Sequence, residues 1–206
     1  MKTLLRIDAS SRTRGSHSRA LADFFQQKWQ NANPGNEIVL RDLIKDPIPH
    51  IGEATIAGYY TPKDEHDDTL KTATALSDQL IDELKSADTL LISTPMYNFS
   101  VPSALKAYID QIVRIGHTFG FDQEKGFYGL VEGKKAFVVT AIGAVYAGAL
   151  AELNFLEPYL KTLLGFLGIT EVEVVSLEGT TTDASALARG KQAAMEKIET
   201  LLANGA

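Results

Sequence analysis

The feature that most constrains this chain is an alternation of two hydrophobic patterns along its whole length. Short apolar runs at Lys2–Ile7, Glu37–Leu43, Asp88–Thr94, Lys135–Thr140 and Glu171–Leu177 read as strands. Between them lie segments with apolar residues at helical spacing. The first, from Ser18, carries Leu21, Phe24, Phe25 and Trp29, and is stopped by Asn33, Pro34, Gly35 and Asn36. Further helices are expected over Thr69–Lys85, over Leu153–Leu167 with Gly168 ending it, and from Asp183, a cap, to about Leu202. Another should start at Ser100 as N-cap, with Pro102 in its first turn, and run to about Arg114. Ile44–Asp68 and Gly116–Gly133 read as irregular, and connections that long are commonly functional or interfacial.

Five strands alternating with helical segments predict a parallel sheet covered on both faces. That is a three-layer, doubly wound, flavodoxin-like α/β fold, one domain over residues 1–206. The runs do not state strand order, but 2-1-3-4-5 is the common answer for five strands. Asp88–Thr94 lacks polar alternation and should be central.

Composition removes several functions. With 20 basic against 26 acidic residues and a net charge of −6, nucleic-acid binding through phosphates is disfavoured. The absence of cysteine excludes disulfides, thiolate metal sites and a cysteine nucleophile. No apolar stretch is long enough to span a membrane, and Met1–Asp8 lacks the apolar run of a signal peptide. A soluble, cytoplasmic protein is expected. His17, His50, His66 and His117 are scattered without ligand spacing, so no metal site is expected. The last three read as surface or interface residues. Phe155, Tyr159 and Phe166 read as residues packing the sheet.

In open α/β sheets ligands sit beyond the carboxyl ends of the strands, where strand order reverses. Here that selects Ala9–Ser18, Pro95–Phe99 and Ala141–Tyr146. The first loop is rich in hydroxyls and opens a helix, whose free N–H groups and partial positive charge suit a phosphate. Its alternative reading is a long capping region of solvated serines, and its place at the switch point favours phosphate. A dinucleotide fingerprint is absent, since only Gly15 is present there. The triphosphate loop and the G-x-S-x-G elbow are absent too. A terminal monophosphate such as that of FMN remains. The second loop, Pro95-Met96-Tyr97-Asn98-Phe99, joins a rigid exit to flat apolar area and an amide, which suits a flavin ring.

With Ser10, Ser16-His17-Ser18 and Met96-Tyr97-Asn98-Phe99, the chain resembles the FMN-dependent NADH:quinone oxidoreductase and azoreductase family of flavodoxin-like homodimers. The likeness continues through Asp46–Pro49, Gly133–Ala136, Pro158-Tyr159-Leu160 and Leu164–Ile169. It implies that Ser10, Ser16, His17 and Ser18 hold the FMN phosphate and ribityl chain. It implies that Pro95, Met96, Tyr97, Asn98 and Phe99 line the ring. The family's third segment often reads Ser-Arg-Gly-Gly; the matching positions are Ala141, Ile142, Gly143 and Ala144, so backbone donors can still serve the flavin edge while any side-chain role of that arginine is lost. Phe119 and Tyr128 are candidate walls of the substrate pocket.

The activity expected is reduction of quinones by two electrons, and of aromatic azo compounds to amines, with NADH or NADPH as co-substrate in a ping-pong cycle. The flavin carries the chemistry, in keeping with the lack of any triad or carboxylate pair. A flavodoxin-type electron carrier is the alternative; the extra length in Ile44–Asp68 and Gly116–Gly133 argues against it. A third reading is a regulatory protein that binds another mononucleotide.

Overall fold

The computed structural model describes residues 2–32 and 34–203. Met1 and Asn33, the first of the helix-stopping group, lie outside them. Strands β1 (Thr3–Asp8), β2 (Glu37–Asp42), β3 (Thr89–Pro95), β6 (Lys135–Ala141) and β7 (Glu171–Leu177) form one parallel sheet in the order β2-β1-β3-β6-β7. This is the expected 2-1-3-4-5 arrangement. β3 is central and buried along nearly its whole length, as its unbroken apolar run requires.

Period-two alternation divides the strands between two cores. Leu5, Ile7, Leu90, Ile92 and Val138 face α3 (Asp68–Ser86), α4 (Ser103–Ile112) and α5 (Leu156–Leu167). Leu4, Leu91, Phe137, Val139 and Val175 face α1 (His17–Ala32) and α6 (Ala184–Ala203). There Phe25 and Trp29 are buried, and the Phe25 ring lies 4.7 Å from that of Phe137. Arg6 and Asp8 share this second face, so β1 places two charges beneath α1.

Both stretches read as irregular contain regular structure. Ile44–Asp68 includes α2 (Glu53–Tyr60) and a short 3-10 turn, Lys63–Glu65. No apolar stripe marks α2; Gly58 lies directly against α3, where a Cβ would meet Thr74. His66 is buried, not a surface residue: its Nε2 lies 3.0 and 3.1 Å from the carbonyls of Gly58 and Thr61 and closes the end of α2. Tyr59 donates to Gln111 Oε1 (3.0 Å), and Gln111 Nε2 donates to the Pro49 carbonyl (3.1 Å). The segment is therefore tied to α4.

Gly116–Gly133 contains a hairpin, β4 (Phe119–Asp122) and β5 (Gly126–Gly129), which packs on α5 through Phe119 and Phe166 at 4.7 Å. Alternating aromatics and glycines hid it from the hydrophobic pattern. Ser100 does not cap α4: it pairs with Tyr97 in a turn, and Pro102 stands before the helix. Phe155 precedes α5 and is exposed, whereas Tyr159 and Phe166 pack against the core. A 3-10 turn, Gly148–Leu153, occupies the approach to α5.

The backbone of Gly129 lies against Leu167 and Gly168, with no room for a Cβ. Gly129→Ala is expected to lower stability by roughly 1–3 kcal/mol through overpacking, read from urea unfolding. Alanine at exposed Gly52, where a Cβ meets nothing, should change it far less.

Candidate functional site

The loop leaving β1 is shaped by charge before it is shaped by hydroxyls. Arg19, on the first turn of α1, donates to both Asp42 oxygens (2.7 and 2.8 Å), to Asp8 (3.2 Å) and to the Ser10 carbonyl (2.9 and 3.3 Å). Arg6 pairs with Asp8 (2.9 Å) and Asp23 (2.8 Å) and donates to Gln26 (3.0 Å). Asp8 and Asp42 are almost fully buried, so each needs these partners. The Arg19 hydrogen bond, aided by the N–H groups of Ile44 and Lys45, holds the Asp42 carboxyl down to about 2. Arg19 thus clasps the ends of β1 and β2 and the first residue of the serine loop.

That loop then turns into α1. Ser16 caps the helix: its carbonyl accepts from Ala20 (3.1 Å) and its hydroxyl from the Arg19 N–H (3.4 Å). Ser16 Oγ and Ser18 Oγ lie 3.3 Å apart, both buried, beside the opening turn of the helix. Ser10 Oγ accepts from the Arg12 N–H (3.3 Å). Burial lowers the pKa of the half-buried His17 imidazole, and the charges of Lys191 and Arg12 lower it further.

The loop after β3 forms a tight reversal. Tyr97 and Ser100 exchange backbone hydrogen bonds of 3.0 and 3.1 Å around Asn98 and Phe99. These two take positive φ angles of 47° and 71°, the geometry of a two-residue turn that glycine and asparagine prefer. For Phe99 that is a strained conformation, fixed where its carbonyl accepts from the Phe155 N–H (3.1 Å). The tyrosine reaches back across the gap: its hydroxyl lies 2.5 Å from Ser11 Oγ, joining the ring-like corner to the serine loop.

Beyond β6, the chain runs beside the loop after β7. Ile142 N–H donates to the Leu177 carbonyl (2.8 Å), Thr180 N–H to Ile142 (3.0 Å), and Thr181 through its hydroxyl to Gly143 (2.9 Å). These loops enclose a cleft of about 380 Å³. Of the residues expected from sequence, Ser10, Ser16, His17, Ser18, Pro95, Met96, Tyr97, Ala141 and Gly143 line it together. Asn98 and Phe99 form the exposed turn just beyond Tyr97, Ala144 is exposed, and the Ile142 side chain is fully buried in the core. Phe119 and Tyr128 lie on the hairpin and do not line the cleft within this chain: Phe119 stacks on Phe166, and Tyr128 covers Gly120.

Sequence reasoning missed Ser11, Arg12, Thr180 and Thr181 as lining residues, and Arg19 with Asp42 behind them. The signal for the threonines was present as the hydroxyl run Thr180-Thr181-Thr182 after the last strand. Nothing in the pattern distinguished Arg19 from any helix-surface arginine.

Comparison with known proteins agrees with this fold. A family model described as a flavodoxin-like fold matches residues 1–202. An FMN-dependent NADH:quinone oxidoreductase of Hydrogenovibrio crunogenus is 46% identical over 98% of this chain and 100% of its own length. One from Xanthobacter autotrophicus is 50% identical over 84% of this chain and 85% of its own. The chain belongs to the FMN-dependent NADH:quinone oxidoreductase and azoreductase family. The crystal structure of an azoreductase from Bacillus anthracis superposes with a TM-score of 0.90 at 28% identity, covering 98% of each chain.

The clasp is testable without any ligand. Arg19→Met leaves Asp8 and Asp42 as buried carboxylates lacking their shared partner, and is expected to cost roughly 3–5 kcal/mol in urea unfolding at pH 7. The depressed Asp42 pKa also sets a pH dependence. Its stabilising contribution is complete above the ordinary 3.8 and lost as pH falls through about 2, a difference of roughly 2 kcal/mol. Unfolding midpoints between pH 5 and pH 2 should show that loss, and Asp42→Asn should flatten it.

Proposed function

We propose that residues 1–206 form one FMN-binding domain that uses NADH or NADPH to reduce quinones by two electrons and to cleave aromatic azo compounds to amines. It acts as a cytoplasmic homodimer with one FMN per subunit. The observation that carries this reading is the Ser11–Tyr97 contact, which brings a hydroxyl-lined helix start and a flat aromatic corner within reach of one small ligand. A cleft of about 380 Å³ falls in the range of small-molecule sites. Relatives named as FMN-dependent NADH:quinone oxidoreductases support the cofactor and the reaction.

The residues fit FMN in three zones. Ser10, Ser16 and Ser18, with His17, hold the phosphate and the start of the ribityl chain through hydroxyls and the N–H groups of the first turn of α1. Pro95, Met96 and Tyr97 give the ring an apolar wall, with Asn98 and Phe99 at the turn beyond. Ala141, Ile142, Gly143 and Ala144 have no polar side chains, so only their backbone can serve the ring edge. When bound, FMN would supply the two-electron redox chemistry that links the nicotinamide to the acceptor. The protein's part is to position the ring. Exposed apolar side chains at Tyr60, Phe99, Phe121, Phe127, Tyr128 and Phe155 provide surface for a second subunit, and through it a wall for the acceptor.

The purified protein is expected to be yellow, to bleach on anaerobic addition of NADH, and to give parallel-line, ping-pong kinetics with a quinone. Ser16→Ala and Ser18→Ala should each weaken FMN binding about tenfold or more in fluorescence titrations, since each removes a hydrogen bond to a charged group. A colourless protein that takes up no FMN would refute the assignment.

A further inference from the structure

Away from the β1 loop, the cleft offers few groups able to donate a hydrogen bond. Pro95, Met96, Ala141 and Gly143 carry no polar side chain. The Tyr97 hydroxyl is paired with Ser11. The Ile142 N–H is already given to the Leu177 carbonyl (2.8 Å). Hydroxyl and charged side chains of the lining concentrate instead between Ser10 and Ser18, at the end that suits a phosphate.

The loop after β7 supplies the exception. It turns at Gly179, whose φ of 67° favours glycine, and runs through Thr180, Thr181 and Thr182. Its backbone is tied at every residue. Gly179 N–H donates to Ala144 (3.0 Å), Thr180 N–H to Ile142 (3.0 Å), Thr181 N–H to Gly143 (3.2 Å) and Thr182 N–H back to Gly179 (3.0 Å). Two of the three hydroxyls are likewise committed to carbonyls, Thr181 to Gly143 (2.9 Å) and Thr182 to Gly179 (2.6 Å). The Thr180 hydroxyl bonds to no group among the described residues. Thr180 is half-buried and lines the cleft together with Ala141 and Gly143.

We infer that the Thr180 hydroxyl donates a hydrogen bond to the polar edge of the flavin ring and makes bound FMN easier to reduce. The inference rests on the flavin reading of the cleft and adds to it a side chain from outside the three switch-point loops. A flavin ring gains negative charge on two-electron reduction, spread over N1 and the C2 carbonyl. A fixed donor at that edge binds the reduced ring more tightly than the oxidised one, which raises the potential. The Ala141–Ala144 segment has no side chain for this task, and Arg12 belongs to the β1 loop. The backbone ties hold Thr180 before any charge develops, so the donor acts without reorganisation. A threonine that only filled space would be replaced without effect by valine, which keeps the branched shape and lacks the hydroxyl.

The test is spectroelectrochemical titration of the FMN-loaded full-length protein as the native sequence, Thr180→Val and Thr180→Ser. Fluorescence titration measures binding of oxidised FMN to each, and thermal unfolding verifies that each is folded. A hydrogen bond to a charged group is worth roughly a factor of ten or more. Thr180→Val is therefore expected to move the midpoint potential negative by about 30 mV or more, the equivalent of a tenfold loss of affinity for reduced relative to oxidised flavin in a two-electron couple. Binding of oxidised FMN should change less than threefold, and Thr180→Ser should keep the native potential. A native or more positive potential in folded Thr180→Val would overturn the inference. Equal weakening of oxidised and reduced FMN would overturn it too, since the hydroxyl would then hold the ribityl chain or the phosphate. So would a serine variant that behaves like valine, since shape and not the hydroxyl would be responsible. Failure of the native protein to take up FMN would instead refute the flavin reading of the cleft, and this inference with it.

Discussion

The site depends on a set of charges buried beneath the first helix. β1 alternates its side chains between two cores, and on the α1 side it places Arg6 and Asp8 where an all-apolar strand would place hydrocarbon. Neither charge is tolerable there alone. Their presence is matched by Arg19 and Asp23 from the helix and by Asp42 from the neighbouring strand. Hydrophobic residues of similar shape would fill the same space at least as stably. What they would lack is direction: a guanidinium donates along fixed lines, and two of Arg19's run to the Ser10 carbonyl. The network therefore specifies where the serine loop begins as well as how α1 meets the sheet.

From that anchor the other loops are positioned in turn. The Tyr97 hydroxyl reaches Ser11, one residue beyond the clasped carbonyl. The turn behind it holds Asn98 and Phe99 with positive φ, an unfavourable choice for a phenylalanine that the paired hydrogen bonds between Tyr97 and Ser100 and the link to Phe155 impose. Strain of this kind at the rim of a cleft fixes a corner that a relaxed loop would leave variable. The Ile142–Thr180 and Gly143–Thr181 contacts close the opposite side by the same means, with backbone groups satisfying one another.

The segments that enlarge the minimal sheet-and-helix plan are each fastened at a few points. α2 is held through Gly58, Tyr59 and His66, and the hairpin through Gly129 and the Phe119–Phe166 stack. Both leave aromatic and aliphatic side chains exposed, among them Tyr60, Phe121 and Phe127. Unlike the clasp beneath α1, these attachments rely on close approach, ring stacking and the hydrogen bonds of Tyr59 and His66.

The layer order, the central place of β3 and the three switch-point loops were legible in the chain, because burial on both faces writes itself as unbroken apolar runs and helix packing as a three-to-four residue stripe. So were the serine triplet and the Pro95–Phe99 corner, whose residue types suit a phosphate and a flat ring wherever they fall. Less was legible where contact is made by a glycine or a polar side chain, neither of which leaves a periodic trace: α2 through Gly58, the hairpin through Gly129, His66 turned inward. The partners of Arg19 lie up to 23 residues away and on another strand, so only folding could show that it clasps Ser10. Local pattern determines which elements form, since it needs only neighbours along the chain; which polar groups meet is decided by the tertiary structure, because hydrogen bonds require atoms brought to about 3 Å from distant places.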